Sequence, residues 1–519
     1  MFTPQPNDLW IRRISLNLHP PSLKDNTADA DRLVKALRRE LGSSKVVAAF
    51  TLGNGLPKRL RDARYQVDAL VYEDQDVWTV FDAVPRTDGA AGIYGLALDL
   101  GSSTIVLRLV DLATGRIAAE RSFNNPQIEI GPDILTRIHY AGQNQGLSRL
   151  QRLVIDRLNR EIAAAAAENG LSPGQLAGLS LAGNTVMTHL FLGLDPYWIC
   201  REPYIPVMNT PPITAAGSLG IAIHPSAPVF VFPNVGSYFG GDLIAGIIAS
   251  GMTERDETAF LVDVGTNAEV VVGNRDWLMA CAGAAGPALE GGVASMGMMA
   301  APGVIDKVVI DPESREIRIH TIGELPPIGI CGSGLIDLAA QLFLAGMIDL
   351  RGKFVREACG GRMIELDGIR HLTVVEAEAS GTGEPLYLSQ PDIDALIRSK
   401  AAMYTILTTI GNTVGIPLHA IERFYVAGTF GSYIDPRSAI TVGMIPDLPL
   451  ETYVSLGNTS LEGATRALLS AAVRRESQAI RDRITYLELN VNQEFMNLFS
   501  AAKFIPHTDR SLFPSVGGA

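Results

Sequence analysis

Two segments of this sequence follow one design, 164 positions apart. The first is Tyr94-Gly95-Leu96-Ala97-Leu98-Asp99-Leu100-Gly101-Ser102-Ser103-Thr104-Ile105-Val106-Leu107-Arg108-Leu109-Val110. The second is Phe260-Leu261-Val262-Asp263-Val264-Gly265-Thr266-Asn267-Ala268-Glu269-Val270-Val271-Val272. Each reads as an apolar strand carrying one Asp, a turn with glycine and hydroxyl residues, and a second strand. Such an internal repeat predicts a fold built from two related halves. A strand–turn–strand of this kind exposes several backbone N–H groups to one point, and that concavity suits phosphate oxygens. The hydroxyls of Ser102, Ser103, Thr104 and Thr266 add donors. Asp99 and Asp263 are harder to explain as structure, because a carboxylate in an apolar strand is unfavourable unless paired or cation-bound. Mg²⁺ is commonly held by one or two carboxylates, waters and nucleotide phosphates. One Asp per half, facing across a cleft, fits that chemistry. A single hairpin also serves as an ordinary turn. Two copies, with the glycine-rich Ala427-Gly428-Thr429-Phe430-Gly431, make phosphate binding the expectation.

At 519 residues the chain has room for three or four domains. Residues 1–90 read as a small α/β unit. Trp10 to Leu18 alternates as a strand, and Asp25, Asn26 and Thr27 offer N-cap oxygens to a helix carrying Ala30, Leu33, Val34, Leu37 and Leu41. Strands are expected at Val67–Tyr72 and Val77–Phe81, and a linker over Arg86–Gly92. A second unit, 93–254, holds the first hairpin, a third strand at Ile117–Phe123 and a helix over about Leu147–Asn169. A third, 257–516, holds the second hairpin. It also has a strand over Arg423–Gly431 ending in a glycine turn, and helices around Gly334–Ala345, Asp392–Gly411 and Leu461–Ile480.

Hydrophobic residues make up 47% and charged residues 19%, which excludes a disordered or coiled-coil chain. A net charge of −12 argues against a general nucleic-acid or anionic-membrane binder, but not against one polyanion in a shaped pocket. Cys200, Cys281, Cys331 and Cys359 form no C-x-x-C pair and fit no zinc or iron–sulfur spacing, so reduced structural thiols are expected. The eight histidines contain no H-x-x-x-H pair and predict no metal site. The most apolar stretch, Val229 to Met252, is broken by Pro233, Asn234 and Asp242 and reads as no membrane span. With no signal peptide at the N-terminus, these features read as cytoplasmic.

At the hairpins the sequence resembles the actin, sugar-kinase and heat-shock chaperone superfamily of ATPases. Asp99 to Thr104 resembles its first phosphate motif and Asp263 to Thr266 its second. Ala182-Gly183-Asn184-Thr185 is similar to the first connecting segment, and Val426 to Gly431 to the second connecting and adenosine segment. Further motifs narrow the resemblance to the reductive activators of corrinoid proteins. These are Asn125-Pro126-Gln127 with Gly131-Pro132-Asp133 and Arg137, Gly283 to Gly291, Ile330-Cys331-Gly332-Ser333-Gly334 and Ser389-Gln390-Pro391-Asp392-Ile393. The opening Pro20 to Asn26 and the ending Leu487 to Asn490 with Phe504-Ile505-Pro506-His507 are also similar, so the match runs nearly end to end.

The resemblance implies an α/β, two-lobed actin-like (ASKHA, ribonuclease H-like) ATPase fold preceded by a small α/β linker domain. It implies a homodimer that binds ATP and Mg²⁺ and promotes reduction of Co(II) corrinoid to Co(I) for methyl transfer, the corrinoid being carried by a partner protein. The implied cofactor residues are Gly101, Ser102, Ser103, Thr104, Gly265, Thr266, Asn267, Gly286, Gly332, Ser333, Gly334, Gly428, Thr429 and Gly431. Asp99 and Asp263 are the implied metal carboxylates. The sequence departs from the family in having no iron–sulfur domain. Either the chain is truncated or its electron donor is a separate protein. Thr429 stands where the family commonly has glycine.

Other candidates have plainer readings beside them. Glu290 could polarise the attacking water or hold the metal's water shell, or simply cap a loop. Asn267 is a better phosphate or water contact than Glu269, which lies in the strand. Ala294-Ser295-Met296-Gly297-Met298-Met299-Ala300 is a core segment, or a soft partner surface in which Ser295 approaches the corrinoid. Gly240-Gly241-Asp242 opens an apolar helix whose N-terminus could face an anion, or where Asp242 is only a favourable first-turn acid. A small-molecule kinase on the same fold is the alternative function. It needs a general base, yet Gly183-Asn184-Thr185 has no acid where sugar kinases place an Asp. A non-catalytic nucleotide-dependent scaffold is the third reading.

Overall fold

The computed structural model describes residues 3–86, 92–264, 267–284, 294–489 and 493–516. They form two compact units, one taking residues up to 249 together with 459–482, the other 250–458 together with 483 onward.

The first unit begins with a four-stranded sheet in the order Ile11–Asn17, Gln66–Asp74, Val77–Pro85, Val46–Ala48. Helices Asp29–Glu40 and Leu56–Asp62 cover one face, inserting Leu33, Leu37, Leu56 and Leu60 among Val67, Ala69, Val71 and Val80. Asp29 and Asp31 in the first turn and Arg38 and Arg39 in the last complement the helix dipole. The expected N-cap from Asp25, Asn26 or Thr27 is absent; the helix starts after Ala28 with no side-chain cap. Asp25 is engaged elsewhere, accepting from Arg32 at 2.6 Å and from the Thr27 hydroxyl at 2.7 Å.

The larger sheet of this unit runs Ile117–Asn124, Thr104–Asp111, Tyr94–Leu100, Leu176–Gly183, Pro228–Val231, Thr214–Ala215. The first three form an antiparallel meander, and Leu176–Gly183 joins Tyr94–Leu100 in parallel. The connection into that parallel strand carries the helix Gly146–Glu168, whose Leu150, Val154, Leu158 and Ile162 recur at helical spacing and are buried.

Two helices from late in the chain complete the unit. Thr459–Leu469 packs on the strands Tyr94–Leu100 and Leu176–Gly183. Gly463 is required there, since a Cβ would overlap the backbone of Ala245. Ala471–Arg483 follows. The single helix expected over Leu461–Ile480 is thus divided at Ser470, whose hydroxyl accepts from Val473 N at 3.1 Å and donates to Asp8. Arg474 is buried between Trp10 and Phe230, 4.6 and 5.0 Å from the ring centroids, and donates to Glu73 O at 2.6 Å and Asp74 Oδ1 at 2.9 Å.

The second unit repeats five strands of the larger sheet and places its sixth on the opposite edge. Its order is Tyr453–Gly457, Arg423–Ala427, Ala259–Val264, Asn267–Gly273, Leu278–Ala284, Ile484–Tyr486. Again three antiparallel strands form a meander, and a parallel strand, Arg423–Ala427, joins the first of them. The register repeats as well: Asp99 lies opposite Ala182, and Asp263 opposite Ala427. The core includes Phe260, Val262, Val270, Ile406 and Phe424. The helix Gln390–Val414 starts with a capping box of Ser389 and Asp392 and with proline in its first turn. The strand expected to run to Gly431 ends at Ala427, and Gly428 opens the short helix Gly428–Tyr433. Among the described residues no helix is long and apolar enough to cross a membrane.

Removing the buried Arg474 guanidinium leaves Asp74 and the Glu73 carbonyl without their donor. Arg474→Ala is expected to destabilise the protein by about 3 kcal/mol, read as a lowered midpoint in denaturant unfolding. An unchanged midpoint would show that this contact contributes nothing.

Candidate functional site

In the first unit the site is built on the turn between Tyr94–Leu100 and Thr104–Asp111. A Cβ at Gly101 would overlap the Thr104 carbonyl oxygen, so this hairpin closes only with glycine. Ser102 and Thr104 are half-buried and Ser103 is exposed. Behind the turn lies Asn125, which is buried. Its Nδ2 donates to Gly101 O at 2.9 Å, and its backbone N–H donates to Ser103 O at 2.8 Å. Its Oδ1 accepts from Gln127 N at 2.9 Å, and Gln127 Nε2 donates to Leu150 O at 3.0 Å.

Asp99 lies next to the end of the first strand, and Ser460 Oγ lies 2.7 Å from its Oδ1. Ser460 sits in the first turn of Thr459–Leu469, so the late helix delivers a hydroxyl to this carboxylate. The neighbouring strand ends at Gly183, and Asn184 caps the helix Thr185–Leu192 by accepting from Met187 N at 2.9 Å. Gly240 packs directly on this corner, its absent Cβ leaving room for Asn184 Cα. It precedes the helix Gly241–Ser250, in which Asp242 Oδ1 accepts from Leu243 N. Asp99, Gly101, Asn125, Asn184, Gly240 and Ser460 therefore belong to one corner of the first unit.

In the second unit Asp263 lies next to the end of its strand. Gly428, at φ +77°, lies so close that a Cβ would stand 2.9 Å from Asp263 Oδ1. The backbone of Asn267 begins the return strand, paired with Ala284. Gly265, Thr266, Gly286 and Glu290 lie outside the described residues, as do the side chains of Asn267 and Thr429. Gly431 packs against the Val426 carbonyl. Gly332, Ser333 and Gly334 are buried in the first turn of the helix Gly332–Leu344. Ser333 Oγ lies 3.2 Å from Cys331 Sγ, and Gly334 packs against Ile305 O. Ser295 is exposed. Its hydroxyl lies 3.1 Å from Asp392 Oδ2 and 3.3 Å from Tyr387 O, so it also ties its loop to the start of Gln390–Val414. The segment around it is mixed, with Met296 buried and Met299 exposed.

His189 takes a structural place. His189 Nδ1 lies 2.7 Å from Thr185 O, and its Nε2 accepts from Val207 N; burial lowers its pKa. Cys281, Cys331 and Cys359 are buried free thiols and Cys200 is half-buried. Burial pushes the Cys359 thiol up to about 11.

The sequence also matches three regions of one family in order: the RACo linker region over residues 8–87, the RACo middle region over 94–255, and the C-terminal ASKHA domain of RACo over 257–517. The chain belongs to the RACo family. Its fold is accordingly the actin-like ASKHA α/β fold with a preceding linker. The family's solved structures include a reductive activator for corrinoid, iron–sulfur protein. It superposes with a TM-score of 0.88 at 37% identity, over 98% of this chain and 81% of that one. A corrinoid activation enzyme, RamQ, of Eubacterium limosum is 30% identical over 81% of this chain and 72% of its own length. A Co(II) methylated amine-specific corrinoid protein reductase of Methanosarcina barkeri is 24% identical over 78% of this chain and 76% of its own.

Sequence reasoning does not single out Ser460, although Asn458-Thr459-Ser460 is an N-cap pattern that could mark it. Asn125 is visible as a motif but not as the support of the turn. Asn125→Ala strips the half-buried Gly101 carbonyl of its side-chain donor. It is expected to destabilise the fold by about 1–3 kcal/mol, checked by denaturant titration, with hydrogen exchange rising first at the 101–104 turn. Unchanged protection there would contradict the assigned support.

Proposed function

We propose that this RACo-family chain is an ATP-hydrolysing activator that promotes reduction of Co(II) to Co(I) on a corrinoid protein. The observation that carries the reading is the close match, nearly end to end, to a solved reductive activator. The names of two further relatives support the same partner class. The reduction adds one electron to cobalt, and we assign its supply to an iron–sulfur domain or protein outside residues 1–519.

The residues fit Mg·ATP. Gly428 keeps space beside Asp263 that a Cβ would fill, and Gly101 lets the turn that follows Asp99 close on Thr104. Among the described residues no group of three or more His, Cys, Asp or Glu side chains is placed to hold a metal ion. Mg²⁺ in nucleotide sites needs no such cluster, since phosphates and waters complete its shell. Asp99 and Asp263 would hold the ion, which would neutralise phosphate charge. The turns at 101–104 and 265–267 would bind phosphate oxygens, and Glu290 would orient the attacking water. Ser460 holds one oxygen of Asp99 and so fixes how the carboxylate is presented.

The kinase alternative lacks its base. Asn184 stands at the corner where an acid would be needed, and its side-chain oxygen is occupied as a helix cap. A carboxamide accepts no proton at neutral pH.

Asp99→Asn and Asp263→Asn are each expected to lower ATP turnover by about a hundredfold or more, with circular dichroism unchanged. In the wild type, hydrolysis should rise with Co(II) corrinoid proteins and not with sugars or carboxylic acids. A small molecule phosphorylated at the rate of ATP loss, followed by mass spectrometry, would replace this reading with the kinase.

A further inference from the structure

Arg137 lies in the helix Ile134–Ala141 and has no exposed surface. Buried guanidinium groups are ordinarily paired with a carboxylate, yet among the described residues this one touches none. Nε donates to Gly131 O at 2.9 Å, and Nη1 lies 3.5 Å from Gln127 Oε1 and 3.3 Å from Met187 Sδ. Nη2 is buried and has no hydrogen-bond partner among the described residues. Asp133 offsets the charge only through its field; its carboxylate is taken by the Thr136 N–H and hydroxyl at 2.9 and 2.7 Å. Burial without a direct counter-ion lowers the Arg137 pKa from its ordinary value.

The position of this charge is specific. Its neighbour Gln127 donates to Asn125, and Asn125 holds the Gly101 and Ser103 carbonyls of the first hairpin turn. Its other neighbour, Met187, lies 3.9 Å from Asn125 Nδ2 and is the residue capped by Asn184. Arg137 thus stands directly behind the side chains that support both the turn and the adjoining helix start. Packing alone does not call for a cation here, because replacing a buried charge by an apolar residue of similar size is often neutral or stabilising.

We propose that Arg137 is a positioning residue whose counter-ion is the polyphosphate of a nucleotide bound at the 101–104 turn. This rests on the nucleotide-binding reading above. The cation supports the turn through Gln127 and Asn125, and its buried field favours ligands in proportion to their negative charge. In the empty protein the charge is poorly compensated; the ligand supplies the missing anion.

The test is calorimetric titration of ATP, ADP and AMP with Mg²⁺ into wild type, Arg137→Met and Arg137→Lys. Arg137→Met is expected to keep or raise the unfolding midpoint, to weaken ATP about tenfold or more, ADP less, and AMP within about twofold. Arg137→Lys keeps the charge and should preserve the ratio of ATP to AMP affinity. Equal weakening of all three ligands in Arg137→Met would make Arg137 a structural residue only, and unchanged ATP binding in Arg137→Met would also overturn the proposal. Should Arg137→Met fail to fold, the affinity ratio in Arg137→Lys decides: a collapsed ratio rejects the proposal. Wild type binding none of the three nucleotides would instead sink the nucleotide reading itself.

Discussion

The carbonyl groups of Gly101 and Ser103 both turn to one residue, Asn125. Much of the first unit follows from that. The hairpin can be tight only because Gly101 has no Cβ, and tightness leaves turn carbonyls in need of internal donors. Asn125 follows the third strand of the meander directly, so the donor arrives only when all three strands are in register. The same side chain leads through Gln127 to the long helix Gly146–Glu168 at Leu150 O. A turn that must stay fixed is thereby anchored to the core behind it instead of relying on its own short loop.

The two halves share more than a motif. Five strands of their large sheets follow the same order, the sixth lying on opposite edges, and each Asp lies opposite an alanine of the parallel neighbour that a glycine follows. What differs is the support. In the first half the carboxylate is met by Ser460 from a distant helix; in the second a left-handed glycine, Gly428, approaches it. The sheet geometry has been kept while the surroundings of each carboxylate have diverged.

The parts legible in the sequence are those whose signal is local. Alternating and apolar runs locate the hairpins, the linker strands and the helix Gly146–Glu168 within a few residues. The glycines at 101 and 428 are readable because a close approach of backbone requires that residue type. The failures have physical causes. Asp25 looks like an N-cap, but a salt bridge to Arg32 competes for it. The helix expected to cross Ser470 breaks there because that hydroxyl caps a new helix. Ser460 cannot be linked to Asp99 from sequence, since nothing in a linear pattern reports a contact across 361 positions. The isolation of Arg137 is equally hidden, because a missing counter-ion is a property of packing.

That long separation bears on how the protein is made. The strand bearing Asp99 and its parallel neighbour leave the ribosome well before Thr459–Leu469, the helix that packs on both. At a translation rate of about 5–20 residues per second, the gap from residue 249 to 482 lasts on the order of tens of seconds. For that interval the nascent sheet carries an apolar face without its cover, although its hairpin can already form. The newly made chain therefore has a window in which a chaperone, or a wrong neighbour, can occupy the place reserved for its own later helix.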